Sequence, residues 1–179
     1  MSNRIVPVAI AVAIAVAAAS CSRKAPESSS VVVLAQYPIS GTLDILTRDS
    51  TAVDNAITSD GNGSIRIHVD STTTIRLYEA GDLDVENARI VYQAKVRTEG
   101  VEGKVYLEMW CSFAGKGEFF SRALQAPLTG TTEWTTQETP FFLKPGENPD
   151  NVKLNLVIDG KGTVWIDDIT VTKGPLNES

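Results

Sequence analysis

From Ile65 to Val171 the apolar residues of this chain fall at every second position, and that period decides what the chain can fold into. Ile65, Ile67 and Val69 alternate with Arg66 and His68, and Ile75 and Leu77 alternate with Arg76 and Tyr78. Ile90, Tyr92, Ala94 and Val96 form a longer series, and Val105, Leu107, Met109, Cys111 and Phe113 another. Val152, Leu154, Leu156 and Ile158 repeat the pattern near the end. Successive side chains of a strand point to opposite faces, so such segments are half-buried antiparallel strands. No long stretch holds the 3.6-residue period of a helix. Turn-forming clusters separate the runs: Asp60 to Gly63, Glu99 to Gly103, Ala114 to Gly117, Pro145 to Asp150 and Asp159 to Gly162. About nine strands at this spacing predict an all-β protein, an antiparallel jelly-roll sandwich.

The start of the chain has a different character. Arg4 precedes an uncharged run from Ile5 to Ala19, followed by Ser20 and Cys21. A short basic region, an apolar stretch too short to span a bilayer well, and small residues before a cut site describe a secretory signal over residues 1–20. Ala19-Ser20-Cys21 resembles the lipobox of bacterial lipoproteins, which implies an acylated Cys21 as the mature terminus. Residues 22–30, rich in serine, then read as a polar tether, and residues 31–179 as one jelly-roll domain. Ser22 after the cysteine resembles the signal for outer-membrane sorting, so the expected location is the cell envelope. Ala17-Ala18-Ala19 also suits an ordinary signal peptidase, whose product would be secreted. Removing residues 1–20 takes away Arg4 and no acid, which moves the net charge from −6 to −7 and argues against nucleic acid as a partner. With Cys21 acylated, Cys111 is left alone, so no intramolecular disulfide forms.

The last strand breaks its own rhythm. Val164 and Ile166 set one phase and Ile169 and Val171 the other, so the inward face changes at Asp167-Asp168. One extra residue in a β-bulge produces this change. The parity of Asp168 matches Val164 and Ile166, which makes it the expected inward carboxylate. Asn151 to Val171, Leu128 to Trp134 and Ser59 to Ile67 together resemble the galactose-binding-like β-jelly-roll superfamily, many of whose members are carbohydrate-binding modules. The resemblance implies that Trp134 and Trp165 are framework residues. It also implies a structural Ca²⁺ at the sandwich edge, held by Asp168, or Asp167, and by the turn that begins at Asp60.

The outward face of the strand around residue 108 offers the best candidate ligand surface. Tyr106, Glu108 and Trp110 are consecutive on it. If the next hairpin sets Phe113 opposite Phe119, Trp110 faces Arg122 and Phe120 faces Ser112. Aromatic faces stack on the apolar faces of pyranoses while charged groups hydrogen-bond the hydroxyls, so Tyr106, Glu108, Trp110 and Arg122 are the candidate glycan-binding residues. The alternative is that loops cover this face and Trp110 packs beneath them as framework. Catalysis is not expected. His68 is the only histidine and sits in a regular strand, and adjacent aspartates cannot flank a glycosidic bond across the 5 to 9.5 Å that hydrolysis needs. The chain therefore reads as a non-catalytic envelope lipoprotein that binds a glycan, the alternative being a protein-interaction or structural module.

Overall fold

The structure, a computed structural model, describes residues 30–40, 43–81 and 83–176. The proposed signal, Cys21 and residues 22–29 of the tether lie outside the described residues. Eight strands follow one another: β1 (Val32–Tyr37), β2 (Thr51–Asp54), β3 (Ser64–Val69), β4 (Thr73–Gly81), β5 (Ala88–Phe113), β6 (Gly117–Arg122), β7 (Leu128–Leu143) and β8 (Asn151–Gly174). Among the described residues there is no helix.

The chain is the jelly-roll sandwich that its period predicts, built around two very long strands. β5 and β8 pair antiparallel from Arg89↔Gly174 to Ser112↔Asn151, and this ribbon folds over so that each strand serves both layers. One layer places β7, the first half of β5 and the second half of β8 side by side, with β1 and β3 beyond β8 and β2 outside β3. The other runs β6, the second half of β5, the first half of β8, then β4. The inward residues of both layers, among them Ile90, Tyr92, Val96, Leu107, Met109, Leu154, Leu156 and Ile166, form one buried cluster. Burial of this apolar area is what opposes the chain entropy lost on folding. Cys111 lies in the same core, where desolvation pushes its thiol up to about 12.

Two expected turns are corners. Glu99 to Gly103 and Asp159 to Gly162 do not reverse the chain but carry β5 and β8 together from one layer to the other, which is why eight long strands replace nine shorter ones. The glycines are required by close approach. A Cβ on Gly103 would sit 2.0 Å from the Asp159 carbonyl oxygen, and one on Gly160 would sit 2.0 Å from that of Glu102. Both also hold positive φ, 129° and 145°, a region that side chains of L-residues avoid.

The bulge is where the phase change predicts it. Gln93 pairs with Thr170 and Lys95 with Asp167, so Asp168 and Ile169 together oppose Ala94. Asp168 occupies the left-handed region at φ 51°, as one residue of such a bulge commonly does. The expected orientation of the two acids is corrected: Asp167 is 1% exposed and Asp168 lies on the surface. Counting alternation past the start of a bulge assigns the wrong residue, because the left-handed turn at Asp168 rotates its side chain outward.

Candidate functional site

Inward Leu107, Met109 and Cys111 leave Tyr106, Glu108, Trp110 and Ser112 on the outer face of β5. The same alternation on β8, with Val152, Leu154 and Leu156 inward, turns Lys153 and Asn155 to that face beside them. The β5–β6 hairpin is tighter than expected. Its loop is Ala114 to Lys116, closed by the Lys116 N–H to the Phe113 carbonyl at 3.0 Å, and Phe113 pairs with Gly117. The pairing is therefore shifted by two residues: Trp110 faces Phe120, Glu108 faces Arg122 and Ser112 faces Glu118.

Glu108 is the centre of the arrangement. Its carboxylate accepts the Trp110 indole N–H at 2.7 Å and an Asn155 amide N–H at 3.0 Å on one oxygen, and the Arg122 Nε–H at 2.6 Å on the other. Burial, with Glu108 only 4% exposed, pulls its acidity toward the neutral form. The hydrogen bonds from Trp110, Asn155 and Arg122 outweigh that and hold the carboxyl below its ordinary range. Tyr106, 8% exposed, is also largely covered. Trp110 is half-buried, with its ring centroid 4.9 Å from that of Phe120, and the Arg122 guanidinium lies 4.3 Å over the Phe120 ring. Of the four expected ligand residues, Trp110 and Arg122 thus present surface, while Glu108 and Tyr106 lie beneath it.

Beside Trp110 is an open depression of about 240 Å³ bordered by Thr74, Arg76, Glu118, Lys153 and Asn155. Its charges are paired with one another: Lys153 with Glu118 at 2.5 Å and Arg76 with Glu79 at 2.7 Å. Sequence reasoning did not single out Arg76, Glu118, Lys153 or Asn155. Each lies at an outward position of its strand, but only the order of the strands brings them together. An aromatic edge beside fixed hydrogen-bonding groups can hold a sugar ring. Both oxygens of Glu108 are engaged and its carboxyl is held ionised, so it is a poor general acid.

A second cluster sits at the bulge. One oxygen each of Asp60, Asp167 and Asp168 lie within 4.8 Å of one another. Asp167 accepts the Ser59 N–H at 2.9 Å and the Asp168 N–H at 2.8 Å, and Asp168 accepts the Ser59 hydroxyl at 2.6 Å. Asp60 accepts both the backbone and side-chain N–H of Asn62 at 2.8 Å, which shapes the turn. Desolvation raises Asp167 despite its amide donors. Three carboxylates, one of them buried, fit a hard, oxygen-seeking cation, since each oxygen keeps lone pairs beyond the hydrogen bonds it accepts.

No protein-family profile matches the sequence, and no curated protein does. Solved structures do match. The family 22 carbohydrate-binding and GH10 modules of a Clostridium thermocellum endo-1,4-β-D-xylanase, complexed with xylohexaose, superimpose with a TM-score of 0.57 at 12% identity over 83% of this chain. This chain spans only 30% of that one. A family 22 xylan-binding domain from Paenibacillus barcinonensis gives 0.55 at 11% identity, covering 82% of this chain and 94% of that one. A further xylan-binding domain of the same family gives 0.54 at 11% identity, covering 83% and 98%. The fold is a β-jelly-roll sandwich like that of these modules.

Proposed function

We propose that this chain is a non-catalytic glycan-binding domain that recognises a neutral polysaccharide on the face formed by β4, β8, β5 and β6. The observation that carries this reading is the fixing of Trp110: its indole is tied to buried Glu108 at 2.7 Å at the edge of the 240 Å³ depression. A sugar would stack on Trp110 and take hydrogen bonds from Arg76, Lys153 and Asn155. Because the cations there are already paired with carboxylates, the face has no excess positive charge to select an acidic polymer. The fold neighbours whose names include xylan make β-linked xylo-oligosaccharides the first ligands to try. Calorimetric titration against neutral and uronic-acid oligosaccharides tests the reading. Binding confined to neutral chains and lost in Trp110→Ala supports it. Binding of no glycan would leave a protein-interaction or structural module.

We further propose, from the lipobox-like Ala19-Ser20-Cys21, that the domain is tethered to the outer membrane of the cell envelope through acylated Cys21. From the carboxylate cluster, we propose that Asp60, Asp167 and Asp168 hold a structural Ca²⁺. Mass spectrometry of the envelope fraction should find a mature chain that begins at an acylated Cys21. A mature terminus elsewhere, or an unmodified cysteine, refutes the anchor and leaves the glycan site untouched.

A further inference from the structure

All five phenylalanines of the chain gather at the end of the sandwich opposite the glycine corner. The Phe113 ring lies 5.9 Å from that of Phe119 and 6.3 Å from that of Phe141. Edge strands β6 and β7 leave between them a cleft of about 340 Å³ lined by the five rings, with Lys116, Lys144 and Glu147 on its rim. Phe119 and Phe120 are each 51% exposed and Phe142 is 54% exposed. A contiguous exposed apolar patch of this kind marks a surface that meets something other than water.

The chain enters the domain at this same end. Phe142 pairs with Arg89, Arg89 with Gly174, and Val32 with Lys173, so the start of β1 and Phe142 stand in one row across the sheet. Three strand spacings separate them, on the order of 14 Å. Val31, Val32 and Val33 at that entry point are themselves 63%, 44% and 53% exposed. Residues 22–30 reach at most roughly 30 Å when extended, so an anchor on Cys21 keeps this end within that distance of a bilayer.

We propose that the phenylalanine-lined end rests on the phospholipid surface to which the chain is tethered, with Phe119, Phe120 and Phe142 at the acyl boundary and Lys116 and Lys144 at the lipid phosphates. This rests on the reading of Cys21 as the anchor. Aromatic rings flanked by lysines suit the bilayer interface, because the rings enter the apolar edge while the ammonium groups reach back to the headgroups. A sugar fits the cleft less well, since phenylalanine offers no hydrogen-bonding group to hydroxyls. Of the acids close by, Glu147 lies on the cleft rim itself, and each is fixed in place by a hydrogen bond or an ion pair. Glu147 accepts the Lys144 backbone N–H at 2.9 Å, Glu118 pairs with Lys153, and Glu86 accepts the Gly146 N–H. Neither the Lys116 nor the Lys144 ammonium is in an ion pair among the described residues. Docking would fix the orientation of the domain and keep Trp110, beside Phe120, close to the membrane plane.

The test uses the acylated full chain on vesicles of phosphatidylethanolamine and phosphatidylglycerol, made with and without acyl-brominated lipid, which quenches nearby tryptophan. The Trp110 component of the emission, identified as the part missing in Trp110→Phe, should be quenched in the wild type. It should recover in Phe119→Ser/Phe142→Ser. Lys116→Glu/Lys144→Glu, which touches only exposed positions, should also reduce quenching, and the more so at low salt. Unquenched Trp110 in a chain that floats with the vesicles overturns the docking and leaves the anchor standing. Equal quenching in wild type and both double variants overturns the assigned contact. A chain that does not float refutes the anchor and the docking with it.

Discussion

Asp167 and Asp168 are adjacent in the chain, yet Asp167 is 1% exposed while Asp168 stands on the surface in the left-handed conformation. One serine joins them: the Ser59 amide donates to Asp167 and its hydroxyl to Asp168. The bulge therefore does more than reset the inward face of β8. It clamps the loop after β2 to the last strand and gathers three carboxylates in one place.

For Asp167 the pH dependence has a definite sign. Desolvation raises its folded-state pKa above the ordinary value, so the folded protein holds that proton more tightly than the unfolded chain. The resulting stabilisation is present below the ordinary carboxylate value of about 3.9 and is lost as pH rises through the raised folded value. At neutral pH the ionised group is thus a cost that a bound cation would offset. Thermal melts should show Ca²⁺ raising the melting temperature and a chelator lowering it, by about 2.7 kcal/mol of stability at a hundredfold excess over the dissociation constant. Asp167→Asn should be insensitive to both and less stable by about 1–3 kcal/mol, because one of the two amides it serves would then face an NH₂ group. A wild type indifferent to Ca²⁺ and chelator removes the metal.

Glu108 behaves in the opposite sense. Although burial pulls it up, its three donors depress it overall, so its contribution is present above the unfolded carboxylate value and is lost as pH falls through the lower folded value. Urea denaturation across the acid range should find wild-type stability declining below the ordinary glutamate range. Glu108→Gln, which cannot ionise, should flatten that part of the decline. A variant with the wild-type acid profile would show that the three hydrogen bonds do not hold the group charged.

Trp110→Ala should abolish measurable glycan binding while moving the melting temperature by only a few degrees. Its indole supplies one of three donors to Glu108, a hydrogen bond worth roughly 1.5–3 kcal/mol when the acceptor is charged. Trp110→Phe keeps a stacking surface and loses that donor, so it should retain weakened binding. Titration calorimetry with paired melts separates the two effects, and unfolding by Trp110→Ala would make the residue framework rather than ligand surface.

Gly103→Ala and Gly160→Ala should each destabilise the fold by more than about 3 kcal/mol, since the new methyl would occupy the position of a carbonyl oxygen on the paired strand. Gly115→Ala is the comparison. No atom lies within 4 Å of its Cβ position, so only the positive φ is strained and the loss should be about 1 kcal/mol. Chemical denaturation of the three variants checks the order, and equal losses would mean that close approach does not shape the corner.

Much of this protein was legible without coordinates. Alternation is a property of the extended backbone itself, so the inward residues of β3, β5 and β8, the outward series Tyr106, Glu108 and Trp110, and the bulge at Asp167-Asp168 could be read from residue order. Glycine composition could not distinguish a chain reversal from a corner at 99–103 and 159–162. Both need positive φ, and only the pairing of β5 with β8 across those residues decides which is made. The two-residue shift of the β5–β6 hairpin is likewise a choice among loops of similar local cost.

The site belongs to that second kind of information. Sequence placed Glu108 on the outer face, but Asn155 reaches it from 47 residues away and Arg122 from 14, through a strand order that no local pattern encodes. Asp167 is buried because a loop 108 residues earlier in the chain closes over it. Local sequence fixes which way each side chain points along its own strand. Which strands become neighbours, and so which groups lose water and meet their partners, is decided only when the β5–β8 ribbon folds over and buries one shared core.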